Sequence, residues 1–294
     1  MTATVTVVRP GLLTTVQDLG RPGHAHLGVP RSGALDQPAH RLANRLVGNP
    51  AGAAALETTV LGCAVRVHRP VTVAVTGAPC TLRVDGRPAA WAAPVRLPAG
   101  ALLDVGPATR GVRSYVAFAG GIATDPVLGS RSTDLLSGLG PAPLAAGDTL
   151  PLGEPLRPAA GADVVPCTAP PAEVVLPLVL GPRDDWFTAR ALATLARSRY
   201  HVSATSNRIG LRLDGPPLER ASEGELPSEG MVLGAVQVPP SGHPVVFLAD
   251  HPTTGGYPVI GVIPATALPA AAQAAPGTPV RFAPVHQRPL RDRD

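Results

Sequence analysis

The 294-residue chain contains no lysine; all 25 of its basic residues are arginine. Several chemistries need that missing amine. A P-loop needs a lysine on the β- and γ-phosphates, and pyridoxal or class I aldol chemistry needs a Schiff-base lysine. Covalent biotin needs a lysine to acylate, so this chain carries none. Aromatic residues are also few: two Trp, three Tyr and four Phe. With so few stacking platforms, and with arginines spread along the chain instead of forming a basic stripe, the net charge of +4 does not indicate a nucleic-acid partner. Cys63, Cys80 and Cys167 are odd in number and widely spaced. That argues against a disulfide framework or a structural zinc site and fits a reducing compartment. No apolar run approaches the ~20 residues of a membrane span, and residues 1–15 lack a signal-peptide layout. The expectation is a soluble, cytoplasmic protein with no membrane partner.

What the chain has in abundance is punctuation. Its 32 glycines and 36 prolines fall singly between short apolar runs, as turns do in a β-rich protein. Residues 2–8 alternate as in a strand. A glycine-rich segment follows, and then the clearest helix: Asp36 as cap, Pro38 in the first turn, and Ala39, Leu42, Ala43, Leu46 and Val47 on one stripe. From 58 to 153 short strands recur about every ten residues, with Asp85-Gly86 as a tight hairpin turn, which suggests a barrel or sandwich. Residues 154–172 read as a Pro/Ala-rich linker. A strand at 174–180, a helix near 184–197 capped by Asp184 or Asp185, and further strands to about 285 form a second unit. The fold class is mainly β with a few helices. The expected division is 1–160, comprising a glycine-rich loop, a helix and a β domain; 170–287, a second β domain; and 288–294, a solvated tail. A short internal echo, Glu57-Thr-Thr-Val-Leu-Gly against Glu229-Gly-Met-Val-Leu-Gly, favours duplicated β domains.

Three constellations carry chemistry. In 250–258, Asp-His-Pro-Thr-Thr-Gly-Gly-Tyr-Pro, the hydroxyls of Thr253 and Thr254 and the backbone of Gly255 and Gly256 suit a carboxylate or phosphate, with Tyr257 beside them. An ordinary Gly-Gly turn explains the same residues equally well. In Ser206-Asn207-Arg208-Ile209-Gly210, a guanidinium fork meets carboxylates while Asn207 reads an amide; a turn with a surface arginine is the plainer explanation. Asp18, Arg21, Arg31 and Ser32 place an acid, two guanidiniums and a hydroxyl on glycine-rich backbone, either as a site or as an ion pair that staples the loop. His24, His26 and His40 lack metal-ligand spacing, so no metal is assigned. GxSxG and GxGxxG are both absent.

The segments TTVQDLGRPG, GVPRSGALD, ANRLVGN, ALE, SYVAFAGGI, GSRSTDLLSG, SNRIGLRL, GAVQVPPSG and TTGGYP occur in this order across residues 5–285. Together they resemble the family of the prokaryotic 5-oxoprolinase C-subunit, also described as the KipA-like or biotin-dependent carboxyltransferase A/B-subdomain family. The resemblance implies two cyclophilin-like β-barrel domains. It also implies a heteromer with 5-oxoprolinase subunits A and B that opens 5-oxo-L-proline to L-glutamate at the expense of ATP. ATP, with or without Mg²⁺, is then held by arginines and backbone amides or by a partner subunit, since no P-loop lysine exists. On that scheme Arg208 and the 253–257 loop hold carboxylate or phosphate. Asn207 and Tyr257 orient the amide, with Gln237 of GAVQVPPSG beside them, and Asp18, Arg21, Arg31 and Ser32 contribute from the first domain. Two alternatives stay open: a biotin-dependent carboxyltransferase acting on urea or a related amide, and a KipA-type regulatory protein that antagonises a kinase inhibitor. Relatives often carry Ala-Gln where His251-Pro252 stands, which bears on substrate choice.

Overall fold

The computed structural model describes residues 3–161, 165, 167, 169–222, 224 and 226–285; the tail expected at 288–294 lies outside them. Among these residues the fold is mainly β with three α-helices. The chain divides into two units: residues 1–170 with 272–275, and residues 171–271 with 276–294. A contiguous division misses the short segment 272–275, because its membership rests on long-range contacts that no local pattern records.

In the first unit the strands form two antiparallel sheets of six and five strands. Val5 and Val7 of the strand Thr4–Arg9, Val65 and Val67 of Cys63–Val67, and Val73 and Val75 of Val71–Gly77 meet in one buried cluster with Phe118. Their alternate positions give this shared face, because strand side chains repeat every two residues. The hairpin at Asp85-Gly86 forms as the sequence indicates: both residues have positive φ, and Val84 pairs with Arg87.

The helix Gln37–Leu46 is capped by Asp36, whose carboxylate accepts from Ala39 N at 3.1 Å. It packs its Ala43 and Leu46 onto Ala74, Tyr115 and Ala117. Beneath it lies a buried polar network. Tyr115 donates to Glu57 at 2.8 Å and accepts from Asp36 N at 2.7 Å. Gln273 donates to the Asp36 carboxylate at 2.9 Å and to Arg113 O, and accepts from Val112 N and Arg113 N. Burial pushes the Asp36 carboxyl up, against the opposing pull of Gln273, and raises the Tyr115 hydroxyl well above its ordinary value.

The second unit is a closed seven-stranded barrel. Its first strand, Val174–Leu180, lies parallel to its last, Pro279–Val285. Val174, Leu176 and Leu178 face inward and are buried, whereas Val175 is exposed. The second helix starts later than the acidic residues suggest. Asp184 and Asp185 belong to a single 3₁₀ turn, Asp184–Trp186, and the α-helix Ala189–Arg197 is capped by the Thr188 hydroxyl accepting from Ala191 N. Thr188 has the extended backbone that a cap requires.

His40 supplies a test of the first unit's core. It is fully buried, and its Nε2 lies 3.1 Å from the Gln17 carbonyl and 3.3 Å from Asn44 Nδ2. Burial lowers its pKa below the ordinary 6.5. Below pH 6.5 the unfolded chain therefore binds a proton that the fold excludes, and stability falls as pH drops. Denaturant melts across this range are expected to show that loss, and His40→Asn is expected to lessen its slope; an unchanged slope would contradict the assignment. Asp36, held protonated to higher pH in the fold, acts in the opposite sense at lower pH.

Candidate functional site

The outward face of the barrel sheet carries the polar cluster that fits the 253–257 motif. Strands Ala235–Gln237, Val245–Phe247 and Val259–Val262 pair side by side. Val236 and Gly261 are cross-strand partners, and a Cβ on Gly261 would run into Leu178, so these two face the barrel interior. Ala235, Val245, Phe247 and Val259 lie on the other side, in a small apolar cluster with Met231. Gln237, 7% exposed, shares that face.

The 253–257 loop lies directly on Gln237. Its Nε2 donates to Tyr257 O at 3.2 Å, and a Cβ on Gly255 would stand 2.8 Å from the same nitrogen. Any larger residue at 255 would press on the end of the Gln237 side chain, and the backbone there is not left-handed. Thr254 and Gly255 pair with Gly230 and Glu229, and Thr253 O accepts from Met231 N at 2.8 Å. The Glu229 carboxylate takes the Arg183 guanidinium through Nε and Nη2. Tyr257 is 45% exposed, and Arg220 covers its ring, with Cζ 5.8 Å from the centroid. Arg220 Nη2 donates to Val238 O at 2.7 Å, while its buried Nε has no acceptor among the described residues.

Arg220 escaped the sequence reading. It lies in a Leu-Glu-Arg segment with no motif around it, and only the cation over Tyr257 marks it.

Arg208 meets a carboxylate, and that carboxylate is the chain's own. Both Arg208 and Asp250 are buried to zero side-chain exposure, with Nε–Oδ2 and Nη2–Oδ1 each 2.9 Å. A guanidinium fork fits a carboxylate in this bidentate way. Asp250 N also donates to Arg208 O, so the pair locks the 207–210 turn to the 248–251 turn. Asn207 serves the same turn: its Oδ1 accepts from Ile209 N and Gly210 N. His251 stacks on Phe247 at 6.0 Å, and its Nδ1 donates to Pro252 O at 2.8 Å.

In the first unit Asp18, Arg21 and Ser32 do come together, as a staple. Asp18 accepts from Ser130 Oγ, Ser132 Oγ and Arg131 N, each at 2.6 Å, and from Gly20 N at 2.8 Å. Arg21, 1% exposed, donates to Val127 O and Ser132 O and stands 3.9 Å from Asp134. Ser32 donates to Thr133 O at 2.9 Å. These contacts bind the 18–34 loop to residues 127–134. Among the described residues Arg31 joins only through its carbonyl, which accepts from Arg21 N. Of the two explanations open for these residues, the geometry favours the staple.

The carboxyltransferase domain, subdomain A and B, matches residues 27–284. The chain belongs to this family. It is 40% identical over 282 residues to the 5-oxoprolinase C-subunit of Escherichia coli strain K12, covering 94% of this chain and 89% of that protein. The Haemophilus influenzae protein of the same name is 33% identical, covering 91% and 87%. Urea amidolyase of Lachancea kluyveri is 32% identical across 97% of this chain, which spans only 17% of that protein. Among solved structures, TTHA0988 superposes with a TM-score of 0.87 at 39% identity, over 96% of this chain and 56% of the solved one. The K. lactis urea amidolyase gives 0.87 at 30%, over 96% and 19%. The family therefore occurs both as a short chain and as a section of much longer ones.

Removing one partner of a buried ion pair leaves an uncompensated charge, at a cost of about 3–5 kcal/mol. Asp250→Ala is expected to lose stability on that scale in denaturant titration, and Arg208→Met with Asp250→Leu to recover most of it. A single variant as stable as the parent would show that the pair does not hold the turns.

Proposed function

We propose that this chain is a component of a multi-subunit, ATP-dependent 5-oxoprolinase that opens 5-oxo-L-proline to L-glutamate. The observation that carries the reading is 40% identity, over nearly the whole of both chains, to a protein named as the C-subunit of that enzyme. Subunits A and B are the expected partners.

The chemistry asks for specific help. Nitrogen donation stabilises the lactam carbonyl against water. Transfer of the γ-phosphoryl group of ATP to the lactam oxygen makes the carbon electrophilic; one water adds to it, the ring C–N bond breaks with a proton passing to the nitrogen and leaves an acyl phosphate, and a second water hydrolyses that to the carboxylate and phosphate. Groups preorganised toward the developing charge lower such a barrier.

In this reading the outward face around Gln237 receives the substrate. The Gln237 amide and the Tyr257 hydroxyl orient the planar lactam. Arg220 takes the substrate carboxylate, with Thr253, Thr254 and the Gly255-Gly256 backbone beside it. Arg208 acts as a positioning residue: it holds Asp250, which anchors the turn leading into the loop, while Asn207 fixes the turn before it. Asp18, Arg21, Arg31 and Ser32 act by keeping the 18–34 loop in place.

Carboxyl transfer to urea or a related amide is the second reading, favoured by the urea amidolyase matches. A lysine-free chain would need its biotin from elsewhere.

The test is reconstitution with subunits A and B, measuring glutamate formed from 5-oxoproline and ATP. Product should require this chain; equal product without it would overturn the reading. Arg220→Ala should lower kcat/KM about 10- to 100-fold, the scale of a charge-assisted hydrogen bond of about 1.5–3 kcal/mol. Arg220→Lys should retain part of it. An unchanged kcat/KM in Arg220→Ala would remove that residue from the site.

A further inference from the structure

Elsewhere on the surface, some exposed arginines have taken carboxylates. Arg9 pairs with Asp104 at 2.6 Å, and Arg199 and Arg281 share Glu173 at 3.0 and 3.2 Å. One cleft of the first unit gathers three that have not. Its volume is about 460 Å³, and Arg69, Arg96 and Arg157 all line it. None of the three makes an ion pair among the described residues. Glu154 is the single carboxylate of the lining, which leaves two positive charges in excess.

The frame around these arginines is built, not loose. Arg96 is the middle residue of the strand Val95–Leu97 and lies directly across the ladder from Thr72. Directly paired residues point to the same face of a sheet, so the Arg96 guanidinium and the Thr72 hydroxyl project on one side. Arg69 precedes Pro70 at the entry to the strand Val71–Gly77, and Thr72 O is tied to Ala119 N at 2.8 Å. Arg157 stands between Pro155 and Pro158, whose rings limit the backbone. That segment is anchored to the end of the helix Gln37–Leu46: Ala160 N donates to Leu46 O at 2.9 Å, and Gly48 leaves no room for a Cβ against the Arg157 and Pro158 carbonyls.

A ligand for such a cleft must bring at least two negative charges and oxygens to meet planar guanidiniums, as phosphates do. The volume lies in the range of small-molecule sites. No aromatic residue lines the cleft, so nothing there stacks on a base. We propose that this cleft binds the di- or triphosphate group of a small molecule through Arg69, Arg96 and Arg157, with recognition through the phosphates and not through an attached nucleoside. The inference does not depend on lactam chemistry, and a binding measurement on the chain alone separates the two.

Isothermal titration calorimetry of the full chain at low salt, with inorganic pyrophosphate and with ATP, is the test. Both should bind with affinities within a few-fold of each other. Binding of each should weaken at least tenfold in Arg96→Ala/Arg157→Ala. Arg199→Ala, remote in sequence and outside the lining, should bind as the parent does. Unchanged thermal melting of the double variant would tie the loss to the cleft. The proposal is overturned if neither anion binds, if ATP binds but pyrophosphate does not, or if Arg199→Ala loses as much affinity as the double variant. It is equally overturned if a polyglutamate peptide binds while both phosphate ligands fail.

Discussion

A guanidinium cannot shed its proton when it is buried, so the fold must answer it with acceptors. In a chain whose every basic residue is arginine, that constraint shapes the interior of both units. Arg208 is matched by Asp250 at zero exposure, and Arg21 is held by two carbonyls with Asp134 nearby. Each arrangement joins segments that are far apart in sequence. Burying such charges without partners is prohibitive, and burying them with partners fixes loop geometry more than it adds net stability. The loops that carry the family motifs are therefore held by electrostatics on both sides of the chain's midpoint.

This division of labour changes what an arginine in a motif means. Arg208 sits in a family segment and has the right chemistry for a substrate anion, yet its fork closes on an internal carboxylate. Arg220 sits in no motif, yet it lies over Tyr257 with a buried nitrogen that no described residue answers. A polar group left unsatisfied in a folded chain is costly. The cluster of Gln237, Tyr257 and Arg220 on an apolar sheet face has the makings of a site for a small, planar, anionic molecule: a few polar groups on a largely apolar floor.

What was legible in the sequence was local. Asp36 as a cap, Pro38 in the first turn, the stripe of Ala43 and Leu46, and the Asp85-Gly86 turn all follow from contacts within a few residues. The mainly β class followed from strand alternation and glycine-proline punctuation. The start of the second helix was misplaced because two aspartates outweigh one threonine by composition, whereas the extended backbone at Thr188 decides the cap. The Arg208–Asp250 pair spans 42 residues and the Gln273–Asp36 bond 237, and no periodicity encodes either. Gly255 was legible as a special residue, and its close contact with the Gln237 amide was not, because the two are 18 residues apart.

On the proposed function, the outward face at Gln237, Tyr257 and Arg220 meets the substrate, while Arg208 is held by Asp250. Side-chain NMR of the ¹⁵N-labelled complex, titrated with 5-oxo-L-proline, observes both directly. The Nε–H of Arg220 and the amide of Gln237 should shift with the titration, and the Nε–H of Arg208 should stay where Asp250 holds it. A saturating shift at Arg208 with none at Arg220 or Gln237 would contradict the account.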